Sequence, residues 1–545
     1  MSSENFLEHM LASIKAAGAR DLLLEVHGKS LQPTSAAAFL GLVAQARGYL
    51  RSIGVKPGDR VALLAPNRTR WVACDLAILA EGAIVVPLYS RQDPRELAVM
   101  VRDCSPVVTL AADAALADAL RAAWPEHGRV ALWDEVFSAT PVDAPPHALQ
   151  PGDPVTIIYT SGTSGEPKGV VLTRANVDYM VPQTVDALAA IRPQSGALDK
   201  VFHFLPLCFA GSRIMLWTQL YRGNPLMLST DLANLVQEMG TADPHYYLNV
   251  PAVLERIRTG VGAKLKERGG LALKLYERGQ DAFRKVRTGT AGLGDRIALA
   301  LSKRVVFNKI KQQVGPSLDF LICGSAALAE ETQWWFELLG IRVYQVYGLT
   351  ETTAIVTMDK PNQVIPGHVG HALQKCELKL SDEGELLVRG PGVFSGYWNR
   401  PEATAEAIRD GWFHTGDQCE LSRDGNLKII GRVKNILVPE SGHNIAPEPI
   451  EQKFLDACPS AGQVMLVGHA RPWLLLLVTG DASDADTQAA VDAVNADVPH
   501  YRKIKRVVRV PEAFTIENGL LTANQKLRRR AVERRFAAEI DGSYA

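Results

Sequence analysis

Short apolar runs alternate with helical patterns over most of the chain. Strand-like runs rich in β-branched residues or leucine lie at residues 60–66, 83–89, 106–110, 155–159, 201–207, 246–250 and 318–322. Amphipathic segments separate them: Thr34 or Ser35 can cap a helix that ends near Ile53, just before Gly54. This alternation predicts parallel sheets covered by helices, in two α/β subdomains.

The pattern changes in the last third of the chain. From about residue 367 to 430, short strand-like pieces are separated by turn sequences such as SDEG, GPG and SRDG, which predicts a small distorted β-barrel. A compact α+β tail follows, and its most apolar run, WLLLLV at residues 473–478, is too short to span a bilayer. We therefore predict an N-terminal domain over residues 1–432 and a C-terminal domain over residues 433–545.

Composition excludes several classes of protein. Hydrophobic residues make up 47% of the 545 residues, and Lys+Arg and Asp+Glu both total 59, so the net charge does not indicate a nucleic acid partner. Seven scattered cysteines form no CxxC pair, and the N-terminus has no apolar signal segment. These features favour a cytoplasmic protein. A helical, charged region at residues 264–311 contains TGTAGLG, which we predict to be a flexible surface segment.

A stretch rich in glycine and hydroxyl residues, YTSGTSGEPKGV, begins at Tyr159. Gly162, Gly165 and Gly169 allow positive φ angles and a close approach of the backbone to a ligand. Successive N–H groups, the hydroxyl groups and Lys168 offer donors that suit a polyphosphate. The stretch does not match GxxxxGK[ST], the Walker pattern. On composition alone, a flexible loop between two strands is the alternative.

The full string resembles [ST]SGT[ST]GxPKG, the phosphate loop of the adenylate-forming superfamily, which includes acyl-CoA synthetases, peptide-synthetase adenylation domains and firefly-type luciferases. Four more stretches resemble later motifs of this superfamily, in the same order and spacing: YGLTETT (347–353), GWFHTGD (411–417), residues 431–451 and residues 518–530. The likeness covers roughly residues 35–535. It implies that the C-terminal domain is mobile and rotates between two half-reactions.

Within the superfamily, the chain is most similar to long-chain fatty acyl-CoA synthetases. FLPLCFAGSR (204–213), NVPAVLERI (249–257) and residues 304–328 resemble elements of that branch. Phe209 and Ser212 stand where those enzymes usually have His and Glu, and GSAAL at residues 324–328 replaces Gly-Gly-Ala-Pro-Leu. These departures bear on acyl specificity more than on chemistry.

The resemblance implies roles for individual residues. Lys526 would bridge the substrate carboxylate and the phosphate, while Glu351 and Thr163 would be catalytic and hold Mg²⁺; Arg528 to Arg530 are predicted to be ordinary surface residues. The expected ATP and phosphate contacts are Thr160, Ser161, Gly162, Thr163, Ser164, Gly165 and Lys168. The expected nucleoside contacts are Gly324, Ser325, Ala326, Tyr347, Gly348, Thr350, Asp417 and Arg432.

The resemblance also assigns residues to the change of state and to the acyl chain. Lys434 occupies the hinge position, and Gly442 would let pantetheine pass close to the backbone. Phe209, Arg213 and Val250 are candidates for the wall or gate of an acyl pocket.

The activity implied is ATP-dependent activation of a medium- or long-chain fatty acid as acyl-AMP, followed by transfer to coenzyme A. The substrates would be the fatty acid, ATP and CoA, with Mg²⁺ as cofactor and peripheral membrane contact possible. A ligase that loads an acyl carrier protein is the close alternative. A luciferase-like oxygenase would share only the first half-reaction, and a non-catalytic nucleotide-binding protein would not need Lys526.

Overall fold

The computed structural model describes residues 4–126, 128–161, 167–193, 198–326, 328–496, 498–522 and 526–544, and Ser161 by its backbone only. Helices and strands alternate through these ranges. The α-helices are Phe6–Ala17, Ala36–Ser52, Thr69–Ala80, Pro94–Cys104, Ala114–Ala123, Trp133–Val136, Arg174–Ile191, Ala210–Tyr221, Leu235–Ala242, Pro251–Arg268, Gly270–Arg287, Leu293–Ser302, Asn308–Val314, Glu330–Leu338, Pro401–Ala407, Pro447–Ala457, Asp484–Ala496, Arg529–Arg535 and Ala537–Tyr544.

A nine-stranded sheet forms one α/β layer of the protein. In spatial order its strands are His371–Ala372, Thr357–Met358, Arg342–Tyr347, Phe320–Cys323, Tyr246–Asn249, Val201–His203, Leu226–Ser229, Asp21–His27 and Ser30–Ser35. The central strands pair in parallel, and antiparallel strands extend both edges. Tyr246 and Tyr247 enter two different hydrophobic cores, so both faces of the sheet are covered, as parallel strands require.

A seven-stranded sheet forms the second α/β layer. In spatial order its strands are Gly396–Tyr397, Pro167–Thr173, Pro154–Ser161, Ile84–Leu88, Arg60–Leu64, Val108–Ala111 and Val130–Leu132. Val61 and Val85 of this sheet share one core with Tyr246 and Phe320 of the nine-stranded sheet. Two parallel-type α/β subdomains thus pack together, as predicted.

The predicted β-barrel is an open antiparallel sheet. Glu377–Leu380, Glu385–Arg389, Trp412–Leu421 and Ile408–Arg409 pair in that order, and Leu427–Arg432 pairs with Trp412–Leu421. Among the described strands, no pairing closes this sheet on itself. The short strands and turns were predicted correctly, but closure depends on pairings between edge strands, which a local pattern does not specify.

The chain after Arg432 has its own small sheet. Val464–Val467, Leu474–Val478 and Ile504–Arg509 form three strands, and the predicted buried strand WLLLLV is the central one. Two hydrophobic clusters cover the two faces of this sheet, and both consist of residues from Leu437 onward. The N-terminal part is therefore the larger of two α/β units.

Local signals at helix ends are confirmed. The Ser35 hydroxyl accepts a 3.2 Å hydrogen bond from the Ala38 backbone N–H and caps Ala36–Ser52. Gly54 follows that helix with φ +79°. Residues 288–292 form the turn between two helices and are mostly exposed, and the flexibility of residues 288–294 stays a prediction. Throughout the described ranges, no helix has the length and apolar character needed to cross a membrane.

Candidate active site

Asp417 and Arg432 face each other across an antiparallel pair of strands. Asp417 lies on Trp412–Leu421, Arg432 ends Leu427–Arg432, and the two residues are direct partners in the register. The Arg432 Nη1 donates a 2.8 Å hydrogen bond to the Asp417 Oδ1. The GWFHTGD and GRVKN motifs, which lie fifteen residues apart at these two positions, therefore meet in one place.

The Tyr347 side chain completes this cluster. Its hydroxyl donates a 2.6 Å hydrogen bond to the Asp417 Oδ2, and Asp417 is buried. Burial, and then the negative charge of Asp417, raise the pKa of Tyr347 well above its usual range. Tyr347 therefore stays a donor. Each carboxylate oxygen accepts one hydrogen bond and keeps a lone pair for a further donor, such as a ribose hydroxyl.

Glu351 lies on a short 3₁₀ turn, Thr350–Thr352, which is tied to a second segment of the chain. The Tyr397 hydroxyl donates a 2.9 Å hydrogen bond to the Glu351 Oε1, and the Phe394 N–H donates to the Glu351 backbone carbonyl at 2.8 Å. Burial, and then the charge of Glu351, raise the pKa of Tyr397. The carboxylate of Glu351 is thus held from one side.

Lys168 approaches the same tyrosine. It lies on Pro167–Thr173, opposite Thr160 on Pro154–Ser161, and its Nζ is 5.1 Å from the centroid of the Tyr397 ring. The tip of this hairpin, with Gly162, Thr163, Ser164 and Gly165, lies outside the described residues. The described base of the predicted phosphate loop is therefore linked to Glu351 through Tyr397.

Lys526 reaches this region from the C-terminal part of the chain. Lys526 is exposed to solvent at its surface, and desolvation of its ammonium group by the surrounding protein lowers the pKa of Lys526. Arg432 lowers this pKa further, while Asp417 and Glu351 raise it. The charges of Arg432, Asp417 and Glu351 therefore all influence the protonation of the ammonium group.

Hydrogen bonds and an ion pair hold the Lys526 segment in place. The Lys526 N–H donates to the Thr522 Oγ1 at 3.1 Å, and the Thr522 N–H donates back to the Lys526 carbonyl at 2.8 Å. Two residues further on, the Arg528 Nη2 donates a 2.6 Å hydrogen bond to the Glu96 Oε1 of the N-terminal part. This half-exposed ion pair joins the two parts of the chain close to Lys526 in sequence.

Comparison with protein families gives two matches. The AMP-binding enzyme family matches residues 31–398, and the AMP-binding enzyme C-terminal domain matches residues 434–545. The chain belongs to the AMP-binding enzyme family. Enzymes of this family use ATP and an acyl substrate and pass through an acyl adenylate.

Relatives with assigned names match nearly the whole of this AMP-binding enzyme. The long-chain-fatty-acid–CoA ligase FadD15 of Mycobacterium bovis is 31% identical over 93% of this chain and 90% of its own length. Long chain acyl-CoA synthetase 7, peroxisomal, of Arabidopsis thaliana is 29% identical over 90% of this chain and 79% of its own length.

Solved structures share the fold of this AMP-binding enzyme. The anthranilate CoA ligase AuaEII in complex with anthranoyl-AMP has a TM-score of 0.78 at 19% identity, covering 99% of this chain and 98% of its own. A Mycobacterium tuberculosis fatty acyl CoA synthetase has a TM-score of 0.67 at 21% identity, covering 98% of this chain and 99% of its own. The predicted fold class is therefore confirmed.

The residues predicted for the adenine lie at the ends of two neighbouring strands. Gly324 follows Phe320–Cys323, and a Cβ there would be 2.7 Å from the Val346 Cγ2. Ser325 has φ +75°, and both Ser325 and Ala326 are exposed. Gly348 follows Tyr347, and a Cβ there would be 2.1 Å from the Ala354 carbonyl oxygen. Glycine is required at both positions for packing, and their contact with adenine stays a prediction.

The residues predicted for the hinge and for the thiol route, Lys434 and Gly442, lie outside the Asp417 cluster. Lys434 is exposed on the 3₁₀ turn Val433–Asn435, directly after Arg432. Gly442 is exposed with φ +75°, and a Cβ there would have no atom within 4 Å. Both residues are exposed in this conformation, and their roles as hinge and as thiol route stay predictions.

The structure separates the three candidates for the acyl pocket. Phe209 is half-buried, with its ring 5.9 Å from that of Tyr89, and Val250 precedes the helix Pro251–Arg268. Arg213 is fully buried, and its guanidinium contacts Asp75 and donates to the Thr156 Oγ1 at 2.6 Å. In this conformation an acyl chain cannot reach Arg213, because the side chain is enclosed in the core beside its ion-pair partner.

Sequence reasoning missed several residues near the site. Tyr397 lies in the run SGYWNRPEA. It orients Glu351 through a hydrogen bond between residues that are 46 positions apart in the sequence. Arg528 to Arg530 were predicted to be ordinary surface residues, which is wrong for Arg529, while Arg530 is exposed and Arg528 is partly exposed. The Arg529 Nη2 donates a 2.6 Å hydrogen bond to the Glu451 Oε2, and the Arg529 side chain is mostly enclosed. Arg528 forms an ion pair with Glu96. Only long-range contacts could have revealed these pairs.

Proposed function

We propose that this AMP-binding enzyme is an AMP-forming fatty acid–CoA ligase that acts on a medium- or long-chain fatty acid. One observation carries the proposal: Asp417 and Glu351, from two distant motifs, both act on the charge of Lys526, and Glu351 accepts a hydrogen bond from Tyr397, which Lys168 approaches. A protein that only bound a nucleotide would not need a lysine delivered to this place by a separate part of the chain. The relatives named as long-chain fatty acid ligases support this class of substrate.

The first half-reaction forms the acyl adenylate. A carboxylate oxygen of the fatty acid attacks the α-phosphorus of ATP, and the bond from that phosphorus to the bridging oxygen of pyrophosphate breaks. Lys526 would contact the attacking carboxylate and an α-phosphate oxygen, so its positive charge offsets the repulsion between two anions. Lys168 would contact the phosphates that leave.

The nucleoside would be held by the cluster around Asp417. Ribose hydroxyls would donate to the lone pairs that Tyr347 and Arg432 leave free on the carboxylate. Because two donors already fix both oxygens, the carboxylate is oriented before ATP arrives. Adenine would lie against Tyr347, Gly348, Thr350 and the Gly324–Ala326 segment.

The residues at Glu351 fit a magnesium ion. A carboxylate and a hydroxyl are hard oxygen ligands, and Mg²⁺ commonly takes one or two such ligands together with water and phosphate oxygens. Glu351, fixed by Tyr397, would provide one ligand and Thr163 the other. When bound, the ion would offset charge on the phosphates.

The second half-reaction would transfer the acyl group to a thiol. The thiol sulfur attacks the acyl carbonyl carbon, the bond from that carbon to the AMP oxygen breaks, and AMP leaves with the electron pair. We propose that rotation at Lys434 carries Lys526 away and brings the Gly442 loop to the site. This mechanism divides the chain at residues 432 and 433 into an adenylation domain and a mobile domain.

We propose a cytoplasmic location and CoA as the acceptor. All seven cysteines are free thiols, which suits a reducing compartment. Radiolabelled pyrophosphate exchange into ATP, measured over a panel of carboxylic acids of increasing chain length, tests the first half-reaction. Adding CoA or a holo acyl carrier protein to the preformed acyl adenylate tests the second. Exchange that no fatty acid stimulates would exclude the proposal, while transfer only to the carrier protein would replace CoA as acceptor.

A further inference from the structure

Most of the charged region at residues 264–311 forms a helical hairpin on the surface, which begins at Gly270. The helices Gly270–Arg287 and Leu293–Ser302 lie side by side, and the second continues through the π-helical turn Lys303–Phe307 into Asn308–Val314. The two helices approach closely, since a Cβ added at Gly279 would lie 2.7 Å from the Ser302 Cβ. The hairpin is therefore a packed element with one inner and one outer face.

The outer face carries large apolar side chains in a row. Leu293, Ile297, Leu301 and Val305 are 76%, 63%, 50% and 38% exposed, and we call these four residues the exposed stripe. Residues spaced by four share one face of a helix, so the side chains adjoin. Leu271 of the neighbouring helix is also 72% exposed. Single exposed apolar residues are ordinary, but a row of them marks an interaction surface.

The hairpin region is also strongly basic. Residues 264–311 contain thirteen Lys or Arg and only four Asp or Glu, an excess of nine in a chain whose charges balance overall. Asp281 and Asp295 are engaged by Arg278 and Lys285 within the hairpin. The charge that remains toward solvent is therefore positive.

Cations flank the exposed stripe. Arg296, Arg304 and Lys309 are exposed on the same continuous helix, and the described residues provide no ion-pair partner for them. An apolar row flanked by Lys and Arg suits an interface that is apolar inside and anionic at its surface. A purely apolar partner would gain nothing from this excess of charge.

We propose that the exposed stripe docks on the surface of an anionic lipid bilayer. The four apolar side chains enter the boundary between headgroups and acyl chains, and Arg296, Arg304 and Lys309 contact lipid phosphates. Charge complementarity selects this occupant over a second copy of the chain, because two copies would oppose one positive surface to another. The inference does not depend on the proposed function.

The test is cosedimentation of the whole protein with lipid vesicles. One set is pure phosphatidylcholine and the other contains about one third phosphatidylglycerol, which supplies the anionic surface. The stripe variant carries Leu293→Gln, Ile297→Gln and Leu301→Gln. Its control carries Val107→Gln, Val236→Gln and Ile365→Gln, which are exposed apolar residues elsewhere on the protein.

A charge variant separates the two contributions. It carries Arg296→Gln, Arg304→Gln and Lys309→Gln, and its control removes the same charge through Lys29→Gln, Lys56→Gln and Lys379→Gln, all exposed elsewhere. Each Lys or Arg near an anionic surface is worth about a fivefold change in binding, so the charge variant should bind about a hundredfold more weakly at low salt. The stripe variant should lose at least about tenfold.

The expected result is binding to anionic vesicles that both controls retain and both test variants lose. Raising the ionic strength to about 1 M should weaken wild-type binding, because the screening length falls to about 3 Å. The proposal is wrong if the wild type does not bind anionic vesicles, if it binds both lipid compositions equally, or if the test variants bind as well as their controls. Analytical ultracentrifugation that shows self-association lost only in the stripe variant, without vesicle binding, would identify a protein interface instead.

Discussion

The Tyr397 hydroxyl donates a 2.9 Å hydrogen bond to the carboxylate of Glu351, and the Lys168 Nζ lies 5.1 Å from the centre of the Tyr397 ring. Tyr397 therefore connects a residue of the phosphate loop with the carboxylate proposed to hold magnesium. Since Tyr397 contacts no reacting atom in the proposed mechanism, we regard it as a positioning residue.

Replacing Tyr397 with Phe should slow adenylation about tenfold. Hydrogen bonds to charged groups are worth roughly 1.5–3 kcal/mol, and without this one Glu351 is no longer fixed. The concentration of Mg²⁺ needed for half-maximal exchange should rise as well, which a general loss of stability would not produce. Tyr179→Phe is the matched control, because the Tyr179 hydroxyl donates at 2.6 Å to the Gln374 carbonyl, away from the site. Equal Mg²⁺ dependence in both variants would exclude the positioning role.

Replacing Glu351 with Gln should cost about 10²–10³-fold in the rate of adenylation, about 2.7–4 kcal/mol, because a contact that acts in the transition state is lost. The change keeps the size of the side chain and a group that can accept from Tyr397. Pyrophosphate exchange at saturating Mg²⁺ measures it. Unchanged exchange would remove Glu351 from the metal site.

The sequence predicted the residue types of this site better than the long-range contacts that hold them in place. Apolar runs and caps such as Ser35 predicted most strands and helix ends, because strand burial and helix capping depend on residues that are close together in the sequence. Ordered motifs predicted that Asp417, Arg432 and Lys526 act together; Asp417 and Arg432 are hydrogen-bonded, and the joint role of the three residues stays a prediction. The Tyr397–Glu351 and Arg528–Glu96 contacts join residues 46 and 432 positions apart, and no local pattern encodes such pairs.

The ion pair between Arg528 and Glu96 should favour the conformation seen here. Both side chains are 30% exposed, so the pair contributes little, about 0–1 kcal/mol. Glu96→Gln should therefore reduce adenylation by no more than about fivefold and leave conversion of supplied acyl adenylate to thioester unchanged. Stopped-flow measurement of each half-reaction checks this. A larger loss in thioester formation than in adenylation would mean that the pair does not belong to the adenylation state.

The lowered pKa of Lys526 predicts how adenylation depends on pH. Burial, assisted by Arg432, places this pKa below the ordinary lysine value of 10.5. The charged form prevails below the folded-state pKa, so adenylation should be lost as pH rises through a value under 10.5. Lys526→Arg should react more slowly, but its alkaline decline should disappear because a guanidinium stays charged. An identical alkaline decline in both enzymes would assign that titration to another group.

Substitutions at Lys434 and at Lys526 should impair different half-reactions. Proline at position 434 fixes φ near −65° and removes an N–H at the proposed hinge, so Lys434→Pro should form acyl adenylate and then stall. Lys434→Ala is its control, since it removes the side chain without restricting φ. Thioester formation at the parent rate by Lys434→Pro would show that rotation does not occur at this residue.

The central claim is that Lys526 provides the charge that adenylation needs, and Lys526→Ala tests it most directly. Fatty-acid-dependent exchange of pyrophosphate into ATP is measured beside the conversion of supplied acyl adenylate and CoA to thioester, on the same preparation. We predict that exchange falls by at least about 10²-fold while thioester formation continues, a result that unfolding cannot imitate because it would abolish both. Normal exchange by Lys526→Ala would contradict the account.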